Sequence, residues 1–159
     1  MARALTPESA GSGAADQAPA PHAVPELARA RDSGKPHVLH HDLETRSTVD
    51  LKAAGAAKYA ADPATEVICL CYAVDDEPVQ LWVPGDPVPA EFIEAAANPL
   101  WVTNAHNDGF ERPITRHILE PRHGFPAIPL ERRRCSMSMA YAAALPGSLE
   151  KVVEIKPRT

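Results

Sequence analysis

Aromatic residues, cysteines and long apolar runs are all scarce in this 159-residue sequence. Aromatic residues make up only 5% of it, so a folded core must be built mainly from aliphatic side chains. The three cysteines, Cys69, Cys71 and Cys135, argue against a disulfide scaffold and favour a reducing, cytoplasmic compartment. No run is long enough for a transmembrane helix and no secretory signal is evident, so we expect no membrane partner.

Positive charge is scarce as well. With 16 Lys and Arg against 21 Asp and Glu, the formal net charge is -5, unlike that of a protein that binds nucleic acid through overall basic charge. The sequence also contains no Walker-type glycine loop, no Gly-x-Ser-x-Gly motif and no plausible Ser/His/Asp set. The common signatures of phosphate-loop enzymes and serine hydrolases are therefore missing.

The composition divides the chain into two parts. Residues 1–36 are rich in Ala, Pro, Gly and Ser, and such a segment cannot bury enough apolar surface to offset its ordering entropy. We predict a mostly disordered leader there, with at most a transient helical turn near residues 26–30. An extension without any function is an equally good interpretation. Residues 37–159 have the apolar patterning of a folded domain.

The folded part is predicted to alternate strands and helices. Apolar runs bounded by turn residues predict strands over 37–43, 67–74, 79–83, 100–103 and 133–136. Helices are expected over 91–97, 110–119, 137–144 and 148–155, with Pro113 in the first turn of the second helix, where proline is tolerated. The short turn at 75–78 implies an antiparallel hairpin. The predicted class is α/β, a mixed five-stranded sheet flanked by helices.

Two carboxylates mark the end of the first predicted strand. Asp42 and Glu44 flank Leu43, so both point to one side of the strand. Their Cα atoms are roughly 6.6 Å apart, at a rise of about 3.3 Å per residue. That spacing suits a pair of divalent cations of the kind used in phosphoryl transfer. A solvated strand end is the plainer interpretation, but like charges directly after a buried strand are costly without counter-ions.

A second acidic group follows the fourth predicted strand. Asn107 or Asp108 can cap the next helix, and we interpret Asp108 as a cap. Glu111 then lies in the first helical turn, where the helix dipole favours its charge. This strand-to-helix junction would bring Glu111 towards Asp42 and Glu44, although an ordinary helix start with an exposed Glu is the simpler alternative.

Several ordered motifs give the sequence a family resemblance. The stretches are His41-Asp42-Leu43-Glu44-Thr45, Ser47 to Leu51, Lys58-Tyr59-Ala60, Ala105 to Glu111, Cys135 to Ala140 and Leu145 to Glu150. Together they resemble the 3'-5' proofreading exonuclease domain of phage and bacterial family A DNA polymerases, in the ribonuclease H-like exonuclease superfamily. The resemblance covers about residues 36–154 and implies a ribonuclease H-like sheet, here truncated at its C-terminus.

The resemblance also implies roles for individual residues. Asp42, Glu44 and Glu111 would be the catalytic metal ligands for Mg²⁺ or Mn²⁺. Thr45, Asn107 and Phe110 would contact the substrate, a single-stranded DNA 3' end. Relatives use three Asp and one Glu, and many have Asp where this chain has Glu111.

Two departures from the family pattern lower the expected activity. The third motif, a Tyr or His followed by an Asp on a later helix, is not in this sequence. The polymerase domain that normally lies in cis is also absent. We therefore expect residues 37–159 to form a partial exonuclease domain with weak or no activity. The alternative is a non-catalytic nucleic-acid-binding or inert prophage remnant.

Other polar residues have plainer interpretations. Cys69 and Cys71 lack the spacing and second ligand pair of a zinc site and are expected to be small core residues. His40 shares a strand face with Asp42 and is expected to be packed or partly exposed. Arg116 and the run 132–134 could contact DNA phosphates, but a solvated turn is the more common arrangement.

Overall fold

A five-stranded sheet organises residues 34–154, the part of the chain that this computed structural model describes. Its spatial order is β3-β2-β1-β4-β5, with β1 at the centre. The strands are β1 (His37–Arg46), β2 (Glu66–Val74), β3 (Gln80–Trp82), β4 (Trp101–Ala105) and β5 (Arg133–Cys135). β1–β2 and β2–β3 are antiparallel, whereas β1–β4 and β4–β5 are parallel. The predicted mixed sheet, its β2–β3 hairpin and the α/β class are confirmed, consistent with a ribonuclease H-like fold.

Helices connect and flank the strands. They are α1 (Leu51–Ala54), α2 (Ala56–Ala61), α3 (Ala90–Ala97), α4 (Asp108–Ile114), α5 (Glu120–His123), α6 (Ser136–Ala142) and α7 (Leu149–Val153). A π-helical turn (Thr115–Leu119) joins α4 to α5, and a 3-10 turn (Leu130–Arg132) precedes β5. Among the described residues, no helix combines the length and apolar character needed to cross a bilayer. The predicted leader lies outside the described residues except for 34–36, as do the last five residues.

Two short helices were not predicted from the sequence. Asp50 starts α1, where its carboxylate accepts a hydrogen bond from the backbone N–H of Lys52 at 2.8 Å. Gly55, at φ 77°, then separates α1 from α2. Helices of four and six residues are too short to show a 3.6-residue apolar period, so periodicity could not find them.

The helix that follows β4 differs from its prediction. It begins at Asp108, so Pro113 is its sixth residue. The expectation that Pro113 lies in the first turn was therefore wrong. Proline has no backbone N–H, so the Gly109 carbonyl loses its usual partner four residues later. The π-helical turn begins two residues after Pro113, and the Thr115 hydroxyl donates to the Glu111 carbonyl at 2.8 Å.

The two faces of the sheet differ in their cover. On β1, Leu39, His41 and Leu43 are buried beneath the helices, whereas Asp42 and Glu44 on the other face are exposed. The helix-covered face holds the main core, which includes Leu39, Leu43, Leu70, Trp82, Phe92, Trp101, Ile114, Ile118 and Phe125. We call the face of Asp42 and Glu44 the open face.

The two strand cysteines lie on the open face, not in the core. Cys71 is the cross-strand neighbour of Asp42, and Cys69 that of Glu44. Both thiols are half-buried, so the expectation of core residues was wrong. The alternation of the β-strand explains the error, because Leu70 between them takes the buried position.

Candidate active site

The central strand places the first two acidic residues. β1 continues three residues beyond Leu43, so Asp42 and Glu44 lie within the strand. The prediction had placed them at its end. Both side chains are exposed on the open face, as the two-residue period requires. The register with β2 shifts between Glu44 and Thr45, and such bulges change the direction of neighbouring side chains. The exposed pair is therefore available to a ligand from solvent.

The short length of β4 makes room for the third carboxylate. β4 pairs with β1 only from His37 to His40, and the chain then turns into α4. The backbone of β1 beyond that point has no β4 partner. Instead, the carboxyl group of Glu111 accepts a hydrogen bond from the backbone N–H of Leu43. The predicted approach of Glu111 to the first strand is thus observed.

Glu111 is buried, unlike the other two carboxylates. Its exposure is 3%, and its Oε2 atom has no hydrogen-bond partner. Burial, followed by the charge of Asp42, raises the pKa of Glu111 from 4.5 to about 8. The Leu43 N–H and the charge of Arg133 oppose this rise. The alternative of an exposed Glu at an ordinary helix start is therefore wrong.

Asp108 does not cap α4, contrary to the sequence interpretation. It is the first residue of the helix, and its Oδ1 accepts hydrogen bonds from Arg133 Nε at 2.9 Å and Nη2 at 2.6 Å. The two side chains are only 12% and 5% exposed. This carboxylate instead compensates the buried guanidinium, and leaving either charge buried without the other would be strongly destabilising.

A further titratable side chain completes this buried region. His41 lies on the covered face of β1, and burial, followed by the charge of Arg133, lowers its pKa to about 4. We call His41, Asp108, Glu111 and Arg133 the buried polar cluster. Sequence reasoning missed His41 and Arg133. For Arg133, the only signal was its position on a predicted short strand, where a buried charge would need a counter-charge.

The residues expected to contact substrate are close in sequence to two of the carboxylates: Thr45 follows Glu44, Phe110 precedes Glu111, and Asn107 stands at the start of the same helix. The Thr45 hydroxyl is 3.1 Å from the Tyr59 hydroxyl, and the Tyr59 ring lies 6.0 Å from that of Phe110, centroid to centroid. Tyr59 thereby links the two and is a residue whose role sequence reasoning missed. Asn107 is exposed at the start of α4, and its side chain forms no capping bond with the helix. Its amide is free to contact a ligand.

Other polar groups on the open face flank the site. His40 Nδ1 lies 3.3 Å from the Asn104 amide nitrogen, and both line a cavity of about 210 Å³ together with Cys71 and His106. The His106 ring is 2.8 Å from the Gly147 carbonyl oxygen and 3.1 Å from the Ser136 hydroxyl. His40 is exposed, in line with the expected partly exposed strand histidine, whereas His106 holds the start of α6.

The carboxylates suit a hard divalent cation in chemistry, although they do not form a closed cage. Within residues 34–154, no three His, Cys, Asp or Glu side chains are arranged to hold a metal ion. However, Glu111 has a buried oxygen without a partner and faces the charge of Asp42. Mg²⁺ commonly takes one or two carboxylates and completes its shell with water and substrate phosphate. The donor set therefore fits such a cation.

A sequence comparison relates the chain to a phage DNA polymerase. No protein-family model matches the chain. Over 119 residues, however, it is 34% identical to the DNA polymerase of Bacillus phage SP02. The chain is related to a phage DNA polymerase. The aligned stretch is 73% of this chain but only 17% of the phage enzyme, so the chain spans a small part of its relative.

Proposed function

We propose that this polymerase-related domain is a 3'-5' exonuclease domain that removes nucleotides from the 3' end of single-stranded DNA. One observation carries the proposal: the carboxyl group of buried Glu111 accepts a hydrogen bond from the Leu43 N–H and is near enough to Asp42 for that charge to raise its pKa, with Glu44 on the same face as Asp42. Like charges on neighbouring side chains are costly without a counter-ion, and a divalent cation would supply one.

The proposed reaction assigns a role to each side chain. Asp42, Glu44 and Glu111 would hold Mg²⁺ or Mn²⁺. When bound, such cations supply Lewis-acid polarisation of the phosphate and favour deprotonation of the attacking water. The Asn107 amide and the Phe110 ring would orient the terminal nucleotide.

The hydrolysis itself joins a water oxygen to phosphorus and breaks the phosphodiester bond to the preceding 3' oxygen. The products are a free nucleotide and a strand that is one residue shorter. Thr45 contributes indirectly, since its bond to Tyr59 holds that ring beside Phe110. We expect the activity to be weak, because residues 34–154 arrange no three His, Cys, Asp or Glu side chains around a cation, whereas the resemblance implies four ligands.

A nuclease assay tests the proposal. A single-stranded oligonucleotide labelled at its 5' end is incubated with the chain and Mg²⁺ or Mn²⁺, and shortening is followed on a gel. We expect stepwise loss from the 3' end that Asp42→Asn abolishes. Asp76 is an exposed carboxylate in the β2–β3 turn, so Asp76→Asn is the matched control and should retain activity. Cleavage that survives Asp42→Asn would overturn the proposal.

A second candidate function is a domain that binds nucleic acid without cleaving it. The observation that favours it is the lack, within residues 34–154, of three side chains arranged around a cation. Melting curves with and without Mn²⁺ separate the two, because a ligand that binds only the folded state raises its melting temperature. Metal-independent melting would favour the non-catalytic candidate.

A further inference from the structure

The arginines in the described part of the chain fall into two groups. Four have structural partners. Arg46 pairs with Glu66, and Arg133 pairs with Asp108. Arg122 donates to the Thr65 carbonyl, and Arg132 donates to three carbonyls at the end of α3 and just after it.

Three arginines have no such partner among residues 34–154. Arg112, Arg116 and Arg134 are exposed and form no hydrogen bond or ion pair there. Of the arginines suggested above for phosphate contacts, Arg132 and Arg133 are held by partners within the protein. Arg116 and Arg134 are exposed and remain candidates.

Arg112 and Arg116 line the same surface groove. They lie four residues apart, about 6 Å along the axis at roughly 1.5 Å per residue, so both project from one side of α4 and the π-helical turn. A groove of about 500 Å³ lies between them and α2, and is also lined by Ala57, Pro113, His117 and Leu130.

A second depression continues this groove. It has a volume of about 250 Å³ and shares Arg112, Arg116 and Leu130 with the first. Glu120 is in its wall, and within residues 34–154 it is the only acidic side chain that lines either depression. We call the combined surface the arginine groove.

The chemistry of the arginine groove suits a phosphodiester strand. Guanidinium groups present several N–H donors in a planar fork that matches phosphate oxygens. Leu130 is 60% exposed and offers an apolar surface between the charges. In a chain with a net charge of -5, two adjacent guanidinium groups without a protein partner among residues 34–154 form a local positive patch that an anionic strand would complement.

We propose that Arg112 and Arg116 form a second DNA contact, which binds strand phosphates on the outer side of α4 while the 3' end occupies the carboxylates on its inner side. This inference rests on the proposed function in one respect, the choice of DNA as the anion. The inner and outer sides of α4 are defined by adjacent residues, because Glu111 points to β1 and Arg112 to solvent.

The salt dependence of DNA binding tests this contact. The full chain is titrated against a fluorescent single-stranded oligothymidylate without divalent metal, at several salt concentrations. Each phosphate neutralised on single strands contributes about -0.7 to the slope of log K against log salt. Arg112→Gln/Arg116→Gln should make the slope about 1.4 less negative. Lys52→Gln/Lys151→Gln removes the same charge from exposed lysines outside the groove and should leave the slope near that of the wild type.

The outcomes separate the groove from the active site. An unchanged slope in the arginine variant, or an equal loss in the lysine control, would overturn the inference, as would a wild-type chain that does not bind the strand. Competition by polyglutamate as effective as that by DNA would instead indicate an acidic protein partner and also overturn it. Asp76→Asn, outside both the groove and the carboxylates, should keep the wild-type slope. Nuclease activity is measured separately, so failure of the exonuclease proposal remains distinguishable from failure of this one.

Discussion

Two regions that meet at the middle of β1 differ in the solvent exposure of their charged side chains. On the open face, Asp42 and Glu44 are exposed and solvated. Under α4, the buried polar cluster keeps Glu111 and the Asp108–Arg133 pair away from water. Solvated charges cost little and contribute little to stability, whereas buried charges are costly unless each one is paired. The open face is therefore free to serve a ligand, and the buried cluster fixes where the third carboxylate lies.

Removing Arg133 should have the largest effect on stability. Arg133→Met leaves Asp108 as a buried, uncompensated charge, and breaking such a pair typically costs about 3–5 kcal/mol. Urea denaturation measures the loss. The exposed pair Arg46–Glu66, with side chains 74% and 54% exposed, is the matched control, and Arg46→Met should cost about 0–1 kcal/mol. Equal losses in the two variants would contradict the distinction between the regions.

Glu111 should make the metal-free protein less stable as pH rises. Its pKa is raised to about 8 by burial and by the charges of Asp42 and Asp108, against the opposing Leu43 N–H and Arg133. The folded state therefore binds more protons than the unfolded state between about pH 4.5 and 8, and stability falls with rising pH across that window. From about pH 6.5 to 8 the decline should be about 1.5 kcal/mol, seen in urea denaturation.

Two features of this pH profile identify its source. Glu111→Gln cannot ionise, so that variant should show no decline above about pH 6.5. His41, with a pKa lowered to about 4, acts in the opposite direction, since its unfolded form takes up a proton first as the pH falls. Its contribution rises with pH between about 4 and 6.5 and offsets that of Glu111 there. A decline that persists in Glu111→Gln would rule out this carboxyl as the cause.

The Thr45–Tyr59 contact should have a smaller effect. Tyr59→Phe removes a half-buried hydroxyl bond of 3.1 Å and should cost about 1 kcal/mol. If Tyr59 holds the Phe110 ring for substrate, the same variant should also weaken binding of a single-stranded oligonucleotide. Thermal melting and a binding titration measure the two effects. Unchanged binding would leave the contact with a purely structural role.

The smallest effect on stability is expected on the open face. Asp42→Asn and Glu44→Gln remove exposed charges that have no hydrogen-bond partner among the described residues, so each should change stability by less than about 0.5 kcal/mol. Chemical denaturation in the absence of metal provides the check. A large loss from either substitution would show that these carboxylates are part of the folded framework.

Local patterns predicted those features that depend on local sequence. The apolar run of β2 and the turn after it predict the hairpin, and the two-residue period places Asp42 and Glu44 on one face. The start of a helix after β4 brings Glu111 towards β1. The first two depend on neighbours within a few residues, and the third also requires β4 to pair beside β1.

The remaining features depend on contacts between distant residues. Asp108 meets Arg133 across 25 positions, and no local signal tells a helix cap from a buried ion pair. The burial of Glu111 depends on β4 ending its pairing opposite His40, which leaves the Leu43 N–H for the carboxyl group. Short helices such as α1 and α2 contain too few turns for an apolar period to predict them from the sequence.

Calorimetric titration of Mn²⁺ at pH 8 into the wild-type chain, Asp42→Asn and Glu111→Gln tests the shared cation site most directly. If the exposed and buried carboxylates hold the same ion, the wild type binds Mn²⁺ and both variants lose affinity by about 10-fold or more. Wild-type affinity in Glu111→Gln, with a loss only in Asp42→Asn, would show that the buried carboxylate takes no part in metal binding and would contradict the proposed site.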